Sequence, residues 1–138
     1  MQLIRESTFL THFAGSVVAA VCIAVPAYAS TPAEQLAAYA AQSGQVPQVA
    51  KGQAFFTNKH GAEWSCASCH TSNPTVDGKH AKTEKRISPM APAFNPDRFT
   101  DSAKTEKWFR RNCNDVVGRE CTPTEKADVL AWLISLKH

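Results

Sequence analysis

Two cysteines and a histidine fall within five residues of this chain, in the segment Cys66-Ala67-Ser68-Cys69-His70. Thiols three positions apart can form thioethers to the two vinyl groups of haem, and the histidine that follows can reach the iron. This C-x-x-C-H motif therefore predicts one covalently bound haem c, attached through Cys66 and Cys69, with His70 as the proximal iron ligand. A chain of 138 residues has room for one domain around such a group.

A zinc site and a redox-active dithiol are two other interpretations of a C-x-x-C pair. Zinc would need a second pair of ligands, and Cys113 and Cys121 do not have the spacing of one. A thioredoxin-like site would need alternating strands and helices, and no strand of convincing length flanks the motif. The haem interpretation therefore leads.

The first 29 residues have the features of a secretory signal peptide. Arg5 lies in a short polar start, an apolar run extends from residue 13 to residue 25, and residues 27–29 read Ala-Tyr-Ala, a small-x-small cleavage pattern. The apolar run is short for a bilayer span, so we expect no stable membrane insertion, with an uncleaved anchor as the alternative. Cleavage would leave residues 30–138 as one monohaem domain in the periplasm.

The cysteine count agrees with export. Loss of Cys22 with the signal peptide leaves four cysteines, of which two are needed for haem and two, Cys113 and Cys121, remain. Because disulfides persist in oxidising compartments, these two are candidates for a disulfide.

The charge pattern gives weaker information. A formal net charge of +3 does not indicate a nucleic-acid-binding protein. Four cations follow the haem motif closely: Lys79, Lys82, Lys85 and Arg86. They are either a basic rim that attracts an acidic redox partner or a haem propionate, or an ordinary solvated loop.

Start and stop signals predict an all-α domain of four to five helices, with a long loop at residues 71–96 that would wrap the haem. The Ala-rich first helix is interpreted as a short leader with little packing. Gly52 should allow the second and last helices to cross closely, with Phe55 or Phe56 on Trp132. The predicted helices begin at Thr31-Pro32, after Pro47, after Asp101-Ser102 and at Thr122-Pro123, and end near Gln42, Asn58, Asn114 and Leu136.

The sixth iron ligand decides between an electron carrier, a ligand-binding protein and an enzyme. Met90 would give the common His/Met arrangement, but it follows His70 by only twenty residues, which is close for a ligand on the opposite haem face. A packing role suits Met90 better. His60 and His80 have polar, glycine-containing neighbours and are interpreted as surface histidines.

Asn112 is the fourth candidate for the sixth ligand. Helical spacing places it near the aromatic residues Trp108 and Phe109, and it directly precedes Cys113. An asparagine on such a face is an unusual choice for structure alone. Asn114, on the other side of Cys113, is the alternative in a shifted register.

Five segments of the chain together form a distinctive pattern: the haem motif, the loop Asn95–Phe99, and the stretches Lys107–Cys113, Val117–Thr122 and Glu125–Asp128. This pattern, which covers most of the mature domain, resembles the asparagine-ligated class I cytochromes c called sphaeroides haem proteins. The resemblance implies a class I cytochrome c fold, His70 as permanent ligand, Asn112 as a labile sixth ligand and a Cys113–Cys121 disulfide. It also implies a dihaem cytochrome c or a membrane cytochrome b as electron donor.

The leading hypothesis is a periplasmic cytochrome that accepts electrons and, once reduced, releases Asn112 and binds oxygen or nitric oxide. An amide oxygen is a hard, neutral donor, so it suits ferric iron better than ferrous iron. A plain electron carrier with His70 and Met90 ligation is the second hypothesis. A haem oxidase or nitric oxide-detoxifying enzyme is the third, although the chain has no distal histidine with an arginine or acid in peroxidase-like spacing.

Overall fold

The computed structural model describes residues 29–138, so the predicted signal peptide lies outside the described residues except for its last position. Within this range, the all-α expectation of four to five helices is confirmed, and no helix is long and apolar enough to cross a membrane. The elements are α1 Pro32–Ser43, α2 Val49–Thr57, α3 Ala67–His70, β1 Gly78–Lys79, β2 Arg86–Ile87, α4 Ser102–Val117 and α5 Pro123–Ser135.

The last helix begins as its sequence predicts. The Thr122 hydroxyl accepts the backbone N–H of Glu125 at 3.2 Å, and the Glu125 carboxylate accepts the backbone N–H of Thr122 at 2.8 Å. Proline occupies the first helical position, where its missing N–H has no cost. Upstream, Gly118 caps the C-terminus of α4, and its φ of 73° is a left-handed conformation that glycine adopts without strain.

The centre of the fold is α5, which packs against both α1 and α2. A methyl group on Gly52 would overlap the backbone carbonyl of Asp128, so α2 and α5 cross at backbone contact. Phe56 is 2% exposed, and its ring centroid lies 5.0 Å from that of Trp132. The predicted crossing at Gly52 and the packing of Phe56 on Trp132 are therefore confirmed.

The interpretation of α1 as a poorly packed leader is wrong. Tyr39 is buried in a cluster with Ala127 and Leu130, and its ring meets Phe109 edge-on at 5.7 Å. The buried amide of Gln35 donates to the Phe99 carbonyl at 2.8 Å. One aromatic and one polar residue thus fix a helix whose alanine-rich composition suggested little packing.

The loop after the haem motif contains a small antiparallel hairpin, in which Gly78 of β1 pairs with Ile87 of β2. A side chain on Gly78 would overlap the Cys69 carbonyl, so the hairpin lies directly on the haem motif. Farther along, the Pro74 carbonyl accepts the backbone N–H groups of Met90 and Ala91 at 2.9 and 3.1 Å. Strands of two residues are too short for periodicity to reveal, which is why the sequence predicted loop throughout.

Candidate haem site

A cavity of about 920 Å³ adjoins the C-x-x-C-H motif. Its walls come from α3, from the hairpin and the loop after it, and from one face of α4, with contributions from α2 and α5. The structure brings most of the predicted site residues to this cavity, including Cys66, Cys69, His70, Met90 and Asn112. Apolar side chains such as Phe55, Phe56, Ile87, Phe99 and Leu133 also border it.

His70 is held as a neutral imidazole at the cavity wall. Burial, together with the positive charge of Arg98, lowers the pKa of His70 from 6.5 to about 4. Its ring lies 6.1 Å from the ring of Phe56, and its Nδ1 atom is buried without a hydrogen-bond partner. A neutral imidazole can ligate a metal, and a buried nitrogen without a partner is costly unless another group satisfies it.

The two thiols border the same cavity. Burial raises the pKa of the Cys66 thiol to about 11, so it is not a thiolate at neutral pH, as a redox-active dithiol would require. The Cys69 sulfur accepts the backbone N–H of Ala81 at 3.3 Å. Two thiols and a neutral imidazole around a roomy, largely apolar cavity fit a covalently attached haem.

Asn112 reaches the cavity from α4. It is half-buried and is followed by Cys113, which forms a disulfide with Cys121 across a Cα–Cα distance of 5.6 Å. The disulfide ties the last turn of α4 to the start of α5. Asn114 is exposed, does not border the cavity, and donates its amide to the Arg110 carbonyl at 2.7 Å.

Met90 also borders the cavity. Its side chain packs against the buried cluster of Phe56, Val129, Trp132 and Leu133, as does Phe109 of α4. This contact fits the packing role that the sequence favoured for Met90.

His60 and His80 are both partly exposed, and each makes contacts within its own turn. His60 is half-buried, with Nε2 2.7 Å from the Phe55 carbonyl and its ring stacked on Phe55 at 4.2 Å. His80 borders the cavity, and its Nδ1 lies 3.3 and 3.2 Å from the backbone N–H groups of Lys82 and Thr83. Both side chains are engaged in local turns that the sequence does not reveal.

The cations after the haem motif divide into two kinds. Lys79 pairs with Glu84 at 3.4 Å, and Arg86 forms a two-pronged ion pair with Asp77. Lys82, by contrast, lies over the Trp64 ring at 5.1 Å and borders the cavity, as does Lys85.

Sequence reasoning did not single out Arg98. This half-buried arginine borders the cavity and donates from Nε to the Pro89 carbonyl at 2.9 Å and from Nη2 to the Ser88 carbonyl at 2.7 Å. The sequence feature that could have identified Arg98 is a lone cation in a loop rich in proline and aromatic residues.

An all-helical domain that directs Cys-x-x-Cys-His into a haem-sized cavity is a c-type cytochrome. Residues 42–133 match a family described as a domain of unknown function, DUF1924. The chain is 47% identical over 117 residues to the cytochrome c-type protein SHP of Cereibacter sphaeroides, covering 80% of this chain and 90% of that protein. It is 44% identical over 95 residues to cytochrome c'' of Methylophilus methylotrophus, covering 66% of each.

Solved structures give the same assignment. Oxidised SHP, described as an oxygen-binding cytochrome c, is 46% identical with a TM-score of 0.74 and covers 78% of this chain and 99% of that one. Oxidised cytochrome c'' of M. methylotrophus is 38% identical with a TM-score of 0.70, covering 78% and 95%. The chain belongs to the SHP family: it is a monohaem c-type cytochrome whose cofactor is haem c.

Proposed function

We propose that this cytochrome accepts electrons and, when reduced, releases Asn112 and binds a small diatomic ligand such as oxygen or nitric oxide. The observation that carries the proposal is the half-buried Asn112 at the cavity that His70 also borders. The disulfide at Cys113 supports it, because it fixes the end of α4 directly beside Asn112. SHP, the relative described as oxygen-binding, supports the choice of ligand class.

The proposed release follows from the donor chemistry of Asn112. When bound, the haem iron supplies the one-electron chemistry and the site for an external ligand. The Asn112 amide oxygen is a hard, neutral donor whose attraction to iron weakens when the metal is reduced. Once released, its amide N–H groups can donate a hydrogen bond to a ligand in the cavity. A related solution structure, of cytochrome c'', is described in terms of haem-ligand detachment.

The test compares Asn112→Ala with Asn114→Ala in the holoprotein. We expect Asn112→Ala to lose the sixth protein ligand in the oxidised state, which absorption and electron paramagnetic resonance spectra will report. Asn114→Ala is a matched control, because it removes the same amide group from an exposed position two residues after Asn112. Equal spectra for wild type and Asn112→Ala, with altered spectra for Asn114→Ala, would assign the ligand to Asn114.

A plain His/Met electron carrier is the second candidate, since Met90 also borders the cavity. Under this alternative, Met90→Ala would abolish a methionine-iron charge-transfer band and open the sixth position. Under the proposed function, the same variant keeps the wild-type ligation in both oxidation states.

We further propose that the chain is exported to the periplasm through a cleaved signal peptide. The support is the sequence of residues 1–29 and the attachment of c-type haem after export. Mass spectrometry of the mature holoprotein should give an N-terminus at Ser30. A mature N-terminus at Met1 would contradict cleavage.

We propose that an acidic redox partner, such as a dihaem cytochrome c or a membrane cytochrome b, docks where α4 borders the haem cavity. Lys104, Trp108 and Arg111 all border that cavity, and the exposed Lys107 lies beside them on the helix. Asp101 and Asp115 lie at the two ends of this group. Tryptophan and arginine are typical anchors of protein interfaces, and surface cations accelerate encounters with an acidic partner.

Small redox reagents test this docking side without the partner. We expect a Lys107→Gln/Arg111→Gln variant to be oxidised more slowly than wild type by the anion ferricyanide, and no more slowly by a cationic cobalt complex. Lys51→Gln, an exposed cation of α2, is the control. Equal ferricyanide rates for the α4 variant and wild type at low ionic strength would contradict the proposed location.

A further inference from the structure

Arg98 is a half-buried cation that forms no ion pair with an acidic residue in the described part of the chain. Within residues 29–138 there are five ion pairs, and none of them includes Arg98. Its neighbour Asp97 is exposed, and Asp101 instead accepts the backbone N–H of Lys104 at 2.9 Å as the cap of α4. The guanidinium contacts two neutral carbonyls, of Ser88 and Pro89.

Such an arrangement is costly unless a negative group completes it. Moving a charge out of water is compensated only when the charge is paired and fully hydrogen-bonded. A guanidinium has five N–H donors in a planar fork that matches a carboxylate, and the two carbonyls occupy only some of them. Because Arg98 borders the haem cavity, a carboxylate of the cofactor is a candidate partner for it.

We propose that Arg98 binds a haem propionate and thereby joins the cofactor to the loop that carries Met90. The two carbonyls it holds belong to the residues directly before Met90, and Asn95 donates to the same Pro89 carbonyl at 3.2 Å. The loop is held from the other side by the bond from the Met90 N–H to the Pro74 carbonyl. This role requires only the haem, so it holds whichever ligand occupies the sixth position.

Two measurable properties follow from a propionate paired with Arg98. The cation keeps that propionate ionised, so this propionate should add nothing to the pH dependence of the reduction potential around neutrality. Removing the cation raises the pKa of the propionate and leaves an uncompensated negative charge near the iron, which favours the ferric state. We therefore expect Arg98→Gln to lower the reduction potential and to make it depend more strongly on pH than in the wild type.

The experiment uses holoprotein of wild type, Arg98→Gln, Arg98→Lys and Arg110→Gln. Arg110 is a matched control, because it is an exposed arginine of α4 that does not border the cavity. Reduction potentials are measured by optical titration from pH 5 to 9, and the propionate bending bands are recorded by resonance Raman spectroscopy. We expect Arg98→Gln to show a lower potential that depends more strongly on pH, and Arg110→Gln to behave as wild type.

The lysine variant keeps the proposal falsifiable if Arg98→Gln does not accumulate. Lysine keeps the charge but not the planar fork, so the propionate bending bands should shift even where the potential changes little. Bands that stay at the wild-type position in Arg98→Lys contradict the proposal. Equal potential changes in Arg98→Gln and Arg110→Gln also contradict it, because they would show a general effect of net charge.

Discussion

Asn112 and Asn114 lie two positions apart on α4, yet only Asn112 borders the haem cavity. Residues two apart on an α-helix point in directions about 160° apart, so one helix face cannot present both. The register of the helix therefore decides which of these two chemically identical side chains borders the cavity. Helical spacing from Trp108 and Phe109 favoured Asn112 from the sequence, and the structure places it on that face.

Gly52 is a second position where one side chain decides the outcome. In an open helix, replacing glycine by alanine stabilises by roughly 1 kcal/mol. Here a methyl group would overlap the Asp128 carbonyl, so Gly52→Ala should instead lower the free energy of unfolding, by about 1–3 kcal/mol. Denaturant unfolding of the ferric holoprotein measures this change. Gln53→Ala, an exposed substitution in the same helix, should stay within about 0.5 kcal/mol of wild type.

At the scale of elements, the end of α4 and the start of α5 are held by the Cys113–Cys121 disulfide. The bond closes a loop with a sequence separation of 8, for which chain entropy gives a stabilisation of about 2.5 kcal/mol. A Cys113→Ser/Cys121→Ser variant should lose stability of about this size in denaturant titrations. It should also loosen Asn112, so a larger share of ferric protein should lack the sixth ligand. An unchanged ferric spectrum would show that the disulfide does not affect the ligation of the iron.

A polar network joins three helices on the other side of α4. Glu106 accepts from Lys126 of α5 at 2.6 Å and from Tyr39 of α1 at 3.0 Å. Burial alone would raise the pKa of Glu106, but these hydrogen bonds outweigh it and hold the pKa below its usual 4.5. Glu106 therefore stabilises the fold above its unfolded-state pKa, and the contribution disappears as the pH falls through the lower folded-state pKa.

Glu106→Gln tests this network through its pH dependence. The variant should be less stable than wild type at pH 7, because Lys126 is left buried without its carboxylate. The difference should narrow as the pH falls below about 4.5, where the wild-type carboxylate also becomes protonated. Thermal unfolding at pH 7, 5 and 3 measures it, and a constant difference across that range would contradict the assignment.

Across the whole molecule, the sequence predicts features encoded by adjacent residues better than features that depend on packing between distant segments. The capping box of α5 and the haem motif are each encoded by a few adjacent residues. The burial of α1 depends on contacts between distant segments. His60 and His80 make only local contacts, but these lie in turns that show no periodic pattern. A cavity of about 920 Å³ beside the core also means that the cofactor completes the packing of the domain.

The central claim, that the sixth position opens on reduction, is tested most directly by absorption spectra of the wild-type holoprotein in both oxidation states, with and without nitric oxide. We predict a six-coordinate oxidised spectrum, a five-coordinate high-spin reduced spectrum, and a new spectrum when nitric oxide is added to the reduced form. A reduced protein that stays six-coordinate and does not respond to nitric oxide would contradict the claim.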